Sequence, residues 1–91
     1  MSMSYRYTKH ALIRMEERAI SKSDLETLLE PGSTKLTVPS TKDPDAEIVM
    51  GLTAKKNHIV IFINRLTKAI ITVRPMRKKE KALFQEYSNH G

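Results

Sequence analysis

Cysteine and tryptophan are absent from this 91-residue chain, and only five positions hold Tyr or Phe. Without cysteine, the chain can form no disulfide, no thiolate zinc site and no cysteine nucleophile. The scarcity of aromatic side chains argues against a platform on which single-stranded bases stack. The longest uncharged run, residues 57–64, is far shorter than a membrane span. These absences predict a soluble, cytoplasmic protein without a membrane partner.

Glycine and histidine are also sparse. The three glycines, at positions 32, 51 and 91, cannot form a phosphate-binding glycine loop. His10, His58 and His90 lie far apart in sequence, and no two of them have the helical spacing of metal ligands. We therefore expect neither a metal nor a cofactor. Because His58 opens an apolar segment, we expect it to pack at a strand end and not to act in catalysis.

Charge is distributed unevenly along the chain, whose formal net charge is +6. Residues 51–91 hold nine of the 16 Lys and Arg residues but only two of the ten Asp and Glu residues. A basic half of this kind favours a polyanionic partner such as RNA. A solvated basic helix that keeps the protein soluble explains the same charge equally well.

The size and the apolar periodicity predict one α+β domain spanning residues 1–91. Thr8 is a suitable cap for a helix over residues 9–18, and Ser21 for a second helix that Pro31 ends. β-Branched runs then predict strands, followed by one C-terminal helix. The predicted strands cover residues 35–38, 46–52, 58–64 and 69–74, and the last helix covers residues 78–87. We expect about four strands in an antiparallel sheet, with the helices against one sheet face.

Candidate functional residues occur first on the N-terminal helix. His10, Arg14 and Arg18 follow one another at intervals of four residues, so they form one stripe. An imidazole with two guanidinium groups can bind a phosphate and transfer a proton near neutral pH. In the alternative interpretation, the arginines pair with Glu17 or another acid and His10 merely packs.

A second candidate cluster lies near the C-terminus. Thr72 and Arg74 are two residues apart on one strand, so their side chains lie on the same face of the sheet. The pattern does not tell whether helices or solvent cover that face. Four cations follow at positions 77, 78, 79 and 81, and we expect Arg77, Lys78, Lys79 and Lys81 to bind nucleic acid. Cations at a helix N-terminus oppose the macrodipole, a cost that a bound anion would relieve. A solvated charged face is the commoner explanation for such a run.

The first helix carries His10-Ala11, then Arg14, and then Arg18 followed by Ala19-Ile20-Ser21. This pattern, within residues 8–21, resembles the opening of the family known as the domain of unknown function numbered 4258. Residues 70–75 are similar to the closing strand of that family. Residues 74–87 resemble the tail of BrnT-type toxins, in which a strand-end arginine precedes a basic helix.

Both resemblances imply the RelE/barnase/colicin D-like fold, many of whose members are metal-independent ribonucleases. They imply a toxin-like endoribonuclease, in which the ribose 2′-hydroxyl attacks the phosphorus, with an acidic antitoxin as a possible partner. The implied catalytic set is His10 for proton transfer, Arg14, Arg18 and Arg74 for phosphoryl charge, and Thr72 for phosphate positioning. Because Arg74 ends its strand beside the start of the last helix, we expect Arg77, Lys78 and Lys81 to lie near it. In a one-site model, substrate runs from the His10 stripe across Arg74, and these cations contact flanking phosphates. The alternatives are a non-catalytic nucleic-acid-binding module and a protein-interaction module.

Overall fold

In the computed structural model, which describes residues 5–53 and 55–90, three helices flank a five-stranded sheet. The elements in chain order are β1 (Arg6–Tyr7), α1 (Lys9–Glu17), α2 (Lys22–Leu29), β2 (Lys35–Pro39), β3 (Ala46–Leu52), β4 (His58–Asn64), β5 (Ala69–Pro75) and α3 (Lys78–His90). The predicted α+β class is confirmed, and the predicted strands end within one residue of the observed ones. Within the described residues, no helix has the length and apolar character needed to cross a bilayer.

The strand order across the sheet is β1-β5-β4-β3-β2. Strands β2 to β5 form an antiparallel meander, as the sequence predicts, whereas β1 pairs parallel to β5. The sheet is therefore mixed and has five strands, which roughly matches the expected antiparallel sheet of about four strands and adds the short parallel strand β1. A two-residue strand shows no alternation of apolar side chains, so its sequence gives no strand signal.

Both N-terminal helices begin at the caps that the sequence predicts. The Thr8 hydroxyl accepts a hydrogen bond from the Ala11 N–H at 3.1 Å, and lies 2.9 Å from the carbonyl oxygens of both Ile70 and Ile71. Thr8 therefore caps α1 and also attaches it to β5. At the start of α2, Ser21 and Asp24 form a reciprocal capping box.

The main core lies between the sheet and the first two helices. Helix α1 contributes the buried residues Ala11 and Met15, and α2 contributes three buried leucines. These side chains pack against every second residue of β4, which are Ile59, Ile61 and Ile63. Because side chains alternate across a strand, the residues between them face the opposite side of the sheet.

Helix α3 lies on that opposite face. Its buried Phe84 packs with Met50, Val60 and Met76 in a second, smaller core. The expectation that all helices cover one face is therefore wrong. The physical reason is that β4 is apolar on both sides, so α1 and α2 alone would leave its second face in water.

Candidate nucleic-acid site

The three candidate residues of α1 form an exposed stripe. His10, Arg14 and Arg18 are all exposed, because Ala11 and Met15 supply the buried face of the helix. Arg14 donates a hydrogen bond to the Glu17 carboxylate at 3.3 Å in an exposed pair. At 1.5 Å per residue, His10 and Arg18 are separated by about 12 Å along the helix. The stripe therefore spans the whole length of α1 and does not converge on one point.

Thr72 and Arg74 lie on the opposite face of the sheet from α1. In the β4–β5 ladder, Thr72 pairs with Phe62 and Arg74 pairs with Val60, and both partners belong to the α3-side core. Directly opposed residues of antiparallel strands share a face. The expectation that Thr72 and Arg74 share one site with the stripe of α1 is therefore wrong, since the sheet separates them from that stripe.

Arg74 connects β5 to α3. Its two terminal nitrogens donate to the two carboxylate oxygens of Glu80, each at 2.7 Å, and its guanidinium lies 5.4 Å from the centre of the Phe62 ring. The hydrogen bonds from Arg74 hold the pKa of the Glu80 carboxyl below its usual value of 4.5, against the opposing effect of burial. Arg74 thus positions α3 through a bidentate ion pair.

The basic run at the start of α3 is exposed throughout. Glu80 also accepts the Arg77 N–H at 2.7 Å, which places a carboxylate at the helix N-terminus. This carboxylate offsets part of the macrodipole cost that suggested a bound anion. Lys78, Lys79 and Lys81 are all exposed, and Lys81 lines a cleft.

That cleft opens where the C-terminal end of α1 meets the start of β4 and the end of β5. It has a volume of about 440 Å³. We call it the basic cleft, and the residues that line it are Arg18, Ile20, Lys56, Asn57, His58, Ile59, Pro75 and Lys81. It combines one residue of each predicted basic cluster, Arg18 and Lys81, with two residues that the sequence did not mark as functional, Lys56 and His58.

The end of α1 directs Arg18 towards the basic cleft. Ala19 adopts a left-handed conformation with φ of 54°, and the Ile20 N–H donates to the Met15 carbonyl at 2.8 Å. This is a Schellman-type ending, in which the residue after the turn packs back on the last helical turn. Ile20 and Met15 are both buried in the main core, so the position of the Arg18 backbone is fixed by packing.

The β3–β4 loop presents Lys56. The buried Thr53 holds this loop, because its carbonyl accepts the Lys56 N–H at 2.8 Å and its hydroxyl accepts the Asn57 N–H at 3.1 Å. Lys56 itself has φ of 64°, a left-handed conformation that costs a residue with a side chain about 1–2 kcal/mol. The chain therefore tolerates backbone strain at a position that carries a cation into the cleft.

His58 lies beside these cations at the start of β4. Its ring contacts Phe84 edge-on, with 6.1 Å between ring centres, and its carbonyl accepts the Met76 N–H at 3.1 Å. The side chain is half-buried. The expectation that it packs at a strand end is confirmed, and the same position also makes it part of the cleft wall.

Three cations line the basic cleft, and among the residues that the structure describes no acid does. Within residues 5–53 and 55–90, ion pairs join Arg14 to Glu17 and Arg74 to Glu80, and neither pair involves a cation of the cleft. The charges of Arg18, Lys56 and Lys81 are therefore left to attract an anion. A concave surface of one sign raises the local concentration of an oppositely charged ligand.

Residues 7–75 match the model of a protein family described as a domain of unknown function, DUF4258. This match covers most of the chain. The chain belongs to the DUF4258 family. Comparison with curated proteins and with solved structures gave no match.

The DUF4258 match extends from β1 to the end of β5, so it includes Arg18, Lys56 and His58 but not Lys81. The resemblance of the first helix to this family is confirmed. The BrnT-like tail lies almost entirely beyond the matched residues, and it stays a prediction, as does the RelE-like fold assignment.

The sequence missed Lys56 and His58 because each predicted cluster followed a local pattern, namely the spacing of one helix or of one strand, or a contiguous basic run. The available signal was the adjacent pair Lys55-Lys56 directly before His58, at the start of the most apolar strand. A strand of that kind is central in its sheet, so the residues at its start face other elements of the fold.

Proposed function

We propose that this DUF4258 protein binds RNA at the basic cleft and cleaves it as a metal-independent endoribonuclease. The observation that carries the proposal is the convergence of Arg18, Lys56 and Lys81 on one cleft without a carboxylate. Unpaired cations in a concave surface are the chemistry that recognises a phosphate backbone. An imidazole in the same cleft adds a group that transfers protons near neutral pH.

In the proposed reaction, the ribose 2′-oxygen forms a bond to the adjacent phosphorus as the bond from phosphorus to the 5′-oxygen breaks. The 2′-hydroxyl gives its proton to a base, and the departing 5′-oxygen receives one. The products are a 2′,3′-cyclic phosphate and a 5′-hydroxyl. Arg18 and Lys56 stabilise the charge that develops on the phosphoryl oxygens, which is the largest contribution in many enzymes.

The experiment incubates pure protein with a single-stranded RNA in excess chelator and identifies the new ends. We expect cleavage that persists in chelator, products ending in a 2′,3′-cyclic phosphate, and no cleavage where the attacking 2′-hydroxyl is replaced by hydrogen. RNA that is bound but recovered intact would make the protein a nucleic-acid-binding module. RNA that is not bound at low salt would overturn the proposal.

A specific observation also favours a second candidate, a protein-interaction surface of the kind an antitoxin would cover. Leu83 and Tyr87 lie one turn apart on α3, with exposed fractions of 49% and 44%. Four partly buried apolar residues line the same side of the sheet, namely Leu36, Val38, Ile48 and Phe62. An apolar surface on a chain of net charge +6 suits an acidic protein partner.

This second candidate is tested by co-expression with the acidic protein encoded next to the gene, where there is one. A stable complex that is lost in the double variant Leu83→Ser/Tyr87→Ser would support an antitoxin on α3. A complex that survives this variant would place the partner elsewhere on the protein.

A further inference from the structure

His58 is the imidazole that the fold places among the cations of the basic cleft. Arg18 comes from α1, Lys56 from the β3–β4 loop and Lys81 from α3, and all three line the cleft with His58. These residues are up to 63 positions apart in sequence, and the packing of α1 against β5, the β4–β5 register and the position of α3 together bring them to one cleft. The sequence pattern predicts only that His58 packs at a strand end, and it gives this residue no part in catalysis.

We infer that His58, and not His10, transfers the proton when a phosphodiester of single-stranded RNA is cleaved in the basic cleft. This inference rests on the proposed function and names the reacting residue and the substrate class. The His58 imidazole accepts the proton of the 2′-hydroxyl as the new oxygen–phosphorus bond forms. The proton then returns from the imidazolium to the departing 5′-oxygen, so that protons balance over one turnover.

Position separates the two histidines. His10 lies in the first turn of α1, about 12 Å along the helix from Arg18. The nearest cation on its stripe, Arg14, already pairs with Glu17. His58, by contrast, shares its cleft with three cations, and its ring lies nearly perpendicular to the ring of the buried Phe84. A proton-transfer residue has to lie within hydrogen-bond reach, directly or through one water, of the 2′-hydroxyl and the 5′-oxygen beside the phosphate that the cations bind.

The shape of the cleft indicates a single strand. A volume of about 440 Å³ is in the range of small-molecule sites and suits one nucleotide, whereas a duplex does not enter such a space. Ile20, Ile59 and Pro75 provide an apolar wall beside the cations. A base splayed from a single strand can lie against that wall while its phosphate contacts Lys56 or Arg18.

The experiment compares His58→Gln with the wild type on a single-stranded RNA. Glutamine keeps hydrogen-bonding capacity but transfers no proton. We expect kcat to fall at least a hundredfold, the contribution of acid–base catalysis, while KM and the affinity for an RNA with a 2′-deoxy cleavage position change less than threefold. Thermal unfolding of both proteins checks that the variant is folded. A loss of affinity without a loss of kcat would make His58 a binding residue and overturn the inference.

Two further measurements separate this inference from the proposed function. Cleavage by the wild type that is lost in His10→Gln but kept in His58→Gln overturns the inference and leaves the ribonuclease intact. The second measurement follows the His58 ring protons by NMR while the uncleavable RNA is added. If the wild type cuts no RNA, both the catalytic role of His58 and the proposed ribonuclease activity are wrong. In that case, a shift of the His58 signals would still show that the basic cleft binds a phosphodiester. Unchanged signals would show that it does not.

Discussion

Two clefts of about 440 Å³ each lie beside α3, and they differ in charge but not in size. The basic cleft contains three cations and an imidazole. The second, which we call the hydroxyl cleft, is lined by uncharged residues, which are Thr27, Leu28, Ser33, Thr34, Leu52, Thr53, Phe84 and Ser88. Because the volumes are equal, a difference in what the two clefts bind has to come from their linings.

The polar groups of the hydroxyl cleft are largely used by the protein itself. Ser33 donates to the Thr27 carbonyl at 2.8 Å, Ser88 donates to the Gln85 carbonyl, and Thr53 accepts an N–H of its own loop. In the basic cleft, by contrast, no carboxylate pairs with the described cations. Satisfied hydroxyls stabilise turns and helix ends, whereas unpaired cations are available to an anion.

The largest effect on RNA binding is expected from removing cations of the basic cleft. The double variant Arg18→Gln/Lys81→Gln should lose two phosphate contacts, which lowers the slope of log affinity against log salt by about 1.4 for a single strand. Counted from about 1 M salt, where the phosphate contacts no longer add affinity, this change in slope corresponds to a loss of affinity of about 60-fold at 50 mM salt and about tenfold at 200 mM. Fluorescence anisotropy with labelled single-stranded RNA measures both quantities.

The matched control is Arg65→Gln/Lys68→Gln. It removes one arginine and one lysine from the turn between β4 and β5, at the other end of the sheet. We expect its affinity to stay within threefold of the wild type. Equal losses of RNA affinity in both double variants would show that binding depends only on the net charge of the protein. The basic cleft would then not be the binding site.

The next largest effect concerns α3, which lines both clefts. Glu80→Gln breaks the bidentate pair and leaves the half-buried Arg74 without a carboxylate, so we expect a loss of about 2 kcal/mol in the free energy of unfolding at pH 7. Because Arg74 lowers the Glu80 pKa below 4.5, this contribution is complete above that pH and disappears as the pH falls through the lower, folded value.

Urea unfolding at a series of pH values tests this prediction. The stabilities of the wild type and Glu80→Gln should converge as the pH falls below about 4.5. Glu86→Gln, an exposed position on the same helix, is the control and should change stability by less than 0.5 kcal/mol at any pH, as is usual for surface substitutions. A gap between wild type and Glu80→Gln that stays constant with pH would mean that the carboxylate charge does not stabilise α3.

Most of the fold could be predicted because its signals are local. The caps Thr8 and Ser21, the apolar runs of the strands and the stop at Pro31 each act within a few residues. The side of the sheet taken by α3 was predicted wrongly, since it depends on a few long-range contacts of Phe84. Strand β1 was missed because backbone pairing with β5 defines it, and two residues have no period.

The basic cleft was predictable only in part. Arg18 and Lys81 were identified as functional, but they were assigned to a helix stripe and to a tail, and Arg74 was expected to join them. In the structure, Arg74 pairs with Glu80 on the α3 side of the sheet. The β4–β5 register and the packing of α1 on β5 instead place His58 and Lys56 in one cleft with Arg18. Such a register follows from the whole sheet, so no single segment reveals it.

The smallest expected effect is the most selective test of charge at one position. Lys56 and Lys68 both adopt left-handed backbone, with φ of 64° and 61°, and both are exposed lysines in turns that flank β4. They lie at opposite ends of that strand, about 20 Å apart at 3.3 Å per residue. Only Lys56 lines the basic cleft. Lys56→Gly and Lys68→Gly therefore make the same chemical change in the same conformation at two places.

Both substitutions should stabilise the protein by about 0.5–1 kcal/mol, because relief of left-handed strain exceeds the added entropy of glycine in the unfolded chain. Only Lys56→Gly should weaken RNA binding, by about eightfold at 50 mM salt, the value of one phosphate contact to a single strand. Urea unfolding and anisotropy on the same samples measure the two effects. If Lys56→Gly gains stability while it loses RNA affinity, misfolding cannot be the cause of the lost affinity. This outcome would show that the lysine charge at position 56 serves RNA binding in spite of its strained backbone. Equal affinities of the two glycine variants would instead make Lys56 an ordinary loop residue and reduce the basic cleft to Arg18, His58 and Lys81.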